Sequence, residues 1–204
     1  MKSIAIMGSE NDINFESIVS AGINTGGLNI TCISDKKNSA LLKKAEQLNI
    51  KNFYLPSEEI IDYFKNNKFD LVVLDEYFGI LPKEVFEHNK FINIQPSLLP
   101  SFRGEDAIKQ AYLEGIKVTG ISIYWVSEDA NNEKIITQVP VIVENLMHYD
   151  ELDEKIHLVE QQFYPVVIES ILNDKVFDFT DFIKKSKNNS CGGGCSSCGG
   201  CGGS

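Results

Sequence analysis

Nowhere in the 204 residues does an apolar run reach the roughly 18 residues that a membrane-spanning helix requires. Met1-Lys2-Ser3 leads straight into a short apolar segment, with no signal-type hydrophobic region and cleavage site. The expectation is a cytoplasmic protein without a membrane partner. Positive charge is also scarce: 19 Lys and Arg stand against 29 Asp and Glu, a net charge of -10. That balance repels a nucleic-acid backbone, which removes nucleic acid as the main partner. Histidine is limited to His88, His148 and His157. No spacing recommends any of the three for catalysis, and each is expected at the surface or internally satisfied. The body of the chain holds a single cysteine, Cys32, in an apolar segment, which argues against a disulfide framework. No internal repeat is present.

What remains is 43% hydrophobic, enough for one full core. The apolar runs Ser3 to Met7, Leu28 to Ile33, Lys51 to Leu55 and Phe69 to Leu74 read as strands, each followed by a segment with helical spacing. The last of them is continuously apolar from Leu71 to Leu74, as in a strand buried on both faces. A fifth strand, Phe91 to Ile94, precedes a helix around Ala107, Ala111 and Tyr112 that ends near Gly115. Lys117 to Val126 and Lys134 to Val143 form an expected hairpin across the polar stretch 127–133. Asp150 to Leu172 completes the pattern as a long helix whose apolar face is Leu152, Ile156, Leu158, Val159, Phe163, Val167 and Ile171, with a kink expected at Pro165. The fold class is therefore α/β: a doubly wound, mostly parallel sheet with a C-terminal hairpin and long helix. The domain is expected over residues 1–180 and a glycine- and cysteine-rich tail over 181–204.

One stretch organises the functional reading: Asn93-Ile94-Gln95-Pro96-Ser97-Leu98-Leu99-Pro100-Ser101-Phe102-Arg103-Gly104. Two prolines and a closing glycine directly after an apolar strand dictate an ordered loop. At the carboxyl end of a parallel strand such a loop is a candidate site. A plain strand-to-helix connector is the alternative. The stretch resembles the N-x-H-P-S-L-L-P-x-x-x-G loop of the folate-dependent formyltransferases, the group containing glycinamide ribonucleotide transformylase and methionyl-tRNA formyltransferase. The resemblance extends over about Met1 to Leu172 and is strongest from Phe91 to Val143.

Members of that family transfer a formyl group from 10-formyltetrahydrofolate to an amine. The resemblance implies a Rossmann-like fold and a catalytic asparagine, histidine and aspartate at Asn93, Gln95 and Asn131, the last counted back from Ile136-Thr137-Gln138. Only Asn93 is retained. Glutamine donates a neutral hydrogen bond but does not shuttle a proton near neutral pH, and asparagine carries no charge to polarise a partner. Loss of a general acid-base group costs on the order of 10² to 10⁴ in rate, so standard transfer is expected to be weak or absent. By the same resemblance Tyr77, Phe78, Gly79, Ile80 and Leu81 occupy the turn that holds the folate pterin, and Ser97, Arg103 and Gly104 the substrate side of the loop. Glu10 and Asp12 in the turn after the first strand oppose a phosphorylated substrate.

The tail places Cys191, Cys195, Cys198 and Cys201 within eleven residues, separated only by glycine and serine. Four thiolates with permissive spacers are a complete ligand set for zinc or an iron-sulfur cluster. A partner protein, a transferable metal and covalent modification of the cysteines are also open. In an alternative reading the globular part is a docking scaffold and the tail a metal or thiol redox adaptor, and the tail without a ligand is a flexible segment of reduced thiols.

Overall fold

A computed structural model describes residues 1–10, 12–24, 27–128 and 134–180. Seven strands form one sheet in the order β3-β2-β1-β4-β5-β6-β7. In chain order these are β1 (Ser3–Met7), β2 (Asn29–Ser34), β3 (Lys51–Tyr54), β4 (Leu71–Leu74), β5 (Phe91–Gln95), β6 (Val118–Val126) and β7 (Lys134–Ile142). The first five run parallel, and β6 and β7 close the edge antiparallel. The helices are α1 (Phe15–Asn24), α2 (Ala40–Gln47), α3 (Ile60–Asn66), α4 (Ala107–Leu113) and α5 (Tyr149–Leu172). This is the doubly wound sheet, hairpin and terminal helix expected from the pattern.

The central position of β1 and β4 follows from their composition. All four residues of β4 are buried, and in β1 Ile4 and Ile6 face one core while Ala5 and Met7 face the other. Alternate residues of a strand point to opposite faces, so a run without polar breaks must be covered twice. One cover includes α1 and α5, through Phe15, Ile18, Leu152, Ile156, Tyr164 and Val167. The other includes α3 and a 3-10 turn over Lys83–Glu87, through Ile60, Phe64 and Val85. That turn stands where the sequence suggests a short helix.

The element α5 is one 24-residue helix with Pro165 inside it. One expectation for it is corrected. Leu158, read as part of its apolar face, is 57% exposed, whereas Glu160 is only 4% exposed. At 3.6 residues per turn Glu160 lies one turn beyond Ile156 on the core-facing stripe, and Leu158 points away from it.

The strand order reverses between β1 and β4: β1 leads outward to β2 and β3, while β4 leads to β5 on the other side. The crevice at such a switch point is where open α/β sheets bind ligands. It is sealed below by backbone bonds, Asp75 N to the Met7 carbonyl at 2.8 Å and Ser9 N to the Glu76 carbonyl at 3.1 Å.

Candidate functional site

A cleft of about 540 Å³ opens at this point, within the size range of small-molecule sites. Its walls come from the start of α1 (Asn14), the turn after β4 (Glu76, Tyr77, Phe78), the end of β5 and its loop (Asn93, Gln95, Arg103, Gly104), β6 (Tyr124) and α5 (His157, Glu160).

The β5 loop is held to the hairpin by Ser122. Its hydroxyl donates to the Ser97 carbonyl at 2.7 Å and accepts from Leu99 N and Gln138 Nε2, each at 2.9 Å. Gln138 also donates to the Leu99 carbonyl at 2.9 Å. Pairing of β5 with β6 sets Gln95 opposite Ser122 and Asn93 opposite Tyr124. The second pair is joined, Asn93 Nδ2 donating to the Tyr124 hydroxyl at 2.9 Å. Gln95 turns its amide onto the loop, donating to the carbonyls of Gly104 at 2.8 Å and Phe102 at 3.3 Å. The Leu99–Pro100 peptide is cis.

The structure brings Asn93, Gln95, Arg103, Gly104, Tyr77 and Phe78 to one cleft. Ser97 is fully buried beneath the loop, and its backbone N donates to the Gln95 carbonyl at 2.8 Å. Gly79, Ile80 and Leu81 do not line the cavity. Gly79 packs so closely on the Tyr77 ring that a Cβ there would collide with the phenol, and Ile80 is 91% exposed. Phe78, half exposed, is fixed by its backbone N, which donates to the buried Ser9 hydroxyl at 2.9 Å. Asn131, Cys191, Cys195, Cys198 and Cys201 lie outside the described residues. Among the described residues no cluster of His, Cys, Asp or Glu suits a metal ion.

Sequence reasoning missed the far wall. His157 Nδ1 lies 2.9 Å from Glu160 Oε2, and its Nε2 lies 3.6 Å from Asp153 Oδ2. Asp75, 1% exposed, accepts from Asn14 Nδ2 at 2.9 Å and Asn14 N at 3.2 Å. Burial pushes the Asp75 carboxyl up to about 7, with Glu160 and Glu76 adding to the rise and Asn14 opposing it. Burial likewise raises Glu160, partly offset by His157 and Asn14. For His157 burial acts downward, but the Glu160 hydrogen bond and the charges of Glu160, Asp153 and Glu76 prevail and hold it above the usual imidazole range. The readable signals were a glutamate on the apolar stripe of α5 and an aspartate closing an otherwise apolar strand.

Sheet, switch point and cleft define an α/β domain with a cavity at the carboxyl end of its fifth strand, the position where open α/β sheets bind ligands. The chain belongs to the formyl transferase family, whose sequence profile matches residues 2–168. It is 30% identical over 186 residues to the phosphoribosylglycinamide formyltransferase of Bacillus subtilis (strain 168), covering 84% of this chain and 95% of that protein. The corresponding Haemophilus influenzae enzyme is 31% identical over 185 residues, covering 82% and 86%. Among solved structures, the phosphoribosylglycinamide formyltransferase of Anaplasma phagocytophilum superposes with a TM-score of 0.77 at 29% identity, over 84% of this chain and 87% of that one. No helix among the described residues is long and apolar enough to cross a membrane.

Proposed function

We propose that this protein binds 10-formyltetrahydrofolate or a related folate in the 540 Å³ cleft and has lost the family's standard route of proton transfer. The observation that carries the reading is the state of Gln95. Both of its N–H donors are directed at loop carbonyls, in a position where the family resemblance calls for a histidine. A carboxamide so engaged orders the loop and moves no proton. Formyl transfer in the manner of its relatives is then weak or absent, and the role is that of a folate-responsive protein or of an enzyme with an altered transfer.

The cavity residues fit a planar, amide-rich ligand. Tyr77 and Phe78 supply an aromatic wall, and Asn93 retains a carboxamide in hydrogen-bonding position. A bound folate would supply the formyl group, while Asn93 and the loop backbone would orient its carbonyl. Glu10 and Asp12 speak against a phosphorylated acceptor: Lys44 is shared between Asp12 at 2.7 Å and Glu16 at 3.0 Å, which leaves this turn net negative.

Isothermal titration with 10-formyltetrahydrofolate and with tetrahydrofolate tests the reading. Saturable heat with at least one supports it, and neither heat nor a thermal shift with either removes it. The four tail cysteines favour a second component, a bound zinc ion or iron-sulfur cluster presented to a protein partner. Elemental analysis of anaerobically purified chain with and without residues 191–204 decides this, since equal metal content in both refutes it.

A further inference from the structure

The vacated proton function leaves one imidazole on the cleft wall, and it is not isolated. His157 is paired with Glu160, which is buried on the stripe of α5 that faces the sheet. Behind Glu160 stands Asn14, itself 1% exposed, which donates to Asp75. The groups facing this pair are Asp153 from α5, Glu76 and Asp75 from the turn after β4, and Tyr164 one turn further along α5.

Two acceptors in the same wall, Asn14 Oδ1 and Glu76 Oε2, are buried without a donor among the described residues. Buried acceptors left unpaired cost free energy, and together with the carboxylates of Glu76 and Glu160 they make this wall of the cleft rich in acceptors, which suits a ligand that brings N–H groups. Glu76 is held there with its backbone in the left-handed region, at φ 52°. The chemistry that matches is a primary amine without a phosphate.

We propose that His157 and Glu160 form the proton-carrying pair of this cleft, accepting the proton that an amine releases when it takes up a formyl group. The inference rests on the folate reading above. In transfer between two nitrogens one carbon–nitrogen bond forms and one breaks, the incoming nitrogen loses a proton and the leaving nitrogen gains one. The pair carries that single proton across, so it ends the cycle as it began. Glu160, Asp153 and Glu76 hold the proton on His157 against the opposing effect of burial, and Glu160, itself raised by burial, has the acceptor lone pairs to share that proton.

The test uses the full-length chain. Long-range ¹H–¹⁵N spectra follow the three imidazoles, with H157Q assigning His157 and H88Q as the control. The His157 titration is expected above the ordinary histidine midpoint in the unliganded protein and to move downward in E160Q. Formyl transfer from 10-formyltetrahydrofolate to glycinamide and to hydroxylamine is expected to follow the same midpoint. H157Q should lower kcat on the order of 100-fold while leaving the folate dissociation constant within about twofold. A histidine that titrates normally and ignores E160Q overturns the proposal. So does H157Q with an unchanged rate and pH profile, or wild-type protein that binds the folate and formylates neither amine. Absence of folate binding instead defeats the underlying reading, and calorimetry separates the two failures.

Discussion

Gln95 donates from Nε2 to the Gly104 carbonyl at 2.8 Å, and the bond closes a loop whose backbone enters the left-handed region at Phe102 and Gly104. The side chain at the expected catalytic position is thus a structural tie. Replacing it by alanine, Q95A, is expected to cost about 1 to 2 kcal/mol for two lost hydrogen bonds, read from urea midpoints. Q95H combined with N131D restores an ionisable couple while keeping fewer of those ties. Formyl transfer to glycinamide should rise by on the order of 100-fold, with stability lower by about 1 kcal/mol. An unchanged rate in a folded double variant would show that the cleft is not a transferase site with its proton couple removed.

Ser122 is the joint between the loop and the hairpin. Its hydroxyl serves the Ser97 carbonyl, Leu99 N and Gln138 Nε2 at once, and it is fully buried. S122A leaves these groups without that partner in a site water does not reach, which predicts a loss of about 1 to 3 kcal/mol. S122C, close in size but a weaker hydrogen-bonding group, should fall between the two. Folate affinity should decline in the same order, because the wall that carries Gln95 and Arg103 loses its anchor. Urea unfolding and calorimetry on both variants check the ranking.

The sheet was legible because its strands are short apolar runs separated by helical segments, and β4 has no polar residue to mislead. The loop was legible from its prolines. The far wall was not, because nothing in local spacing joins Asn14 before α1, Asp75 after β4 and Glu160 on α5, which meet only in the assembled fold. His157 illustrates the difficulty. Read alone it is a histidine on a charged helix, and only the placement of Glu160 one turn past Ile156 marks that side of α5 as inward. Leu158 misled for the converse reason, being apolar on the outer face. Apolar residues at the surface are common, so hydrophobicity at a single position does not fix a helix face.

Gly120 lies where β6 passes under the site loop. A Cβ there would strike the Val139 carbonyl of β7 and sit 2.9 Å from Leu98 Cδ2. The carbonyl belongs to a paired strand and has little room to retreat, so G120A forces the β6–β7 ladder apart. A loss of about 2 to 3 kcal/mol is expected, large for a single added methyl. Because Leu98 is the other contact, G120A should also weaken folate binding, whereas G115A, at an open turn with no atom within 4 Å of its Cβ, should not. Equal effects of the two substitutions on the binding isotherm would remove the link between this strand and the loop.

The buried Asp75 carboxyl gives the fold a pH dependence opposite to that of ordinary ion-paired carboxylates. Burial raises it to about 7 from a reference of 3.8, with Glu160 and Glu76 assisting and Asn14 resisting. Between about pH 4 and pH 7 the native state therefore keeps a proton that the unfolded chain has lost, and stability falls as pH rises through that window. Above it the contribution is flat. Glu160, raised by burial, acts in the same direction. His157, held above its ordinary 6.5, adds stability that is complete below that value and disappears as pH climbs past its native midpoint. D75N has no charge to gain in either state. Urea unfolding at pH 5 and pH 7.5 should show D75N gaining on the wild type by more than about 1 kcal/mol, since a tenfold difference in proton affinity between the native and unfolded chain is worth about 1.4 kcal/mol. A constant difference across that range would mean that Asp75 is ionised throughout, and the wall behind Glu160 would then be a fixed negative field with no proton to exchange.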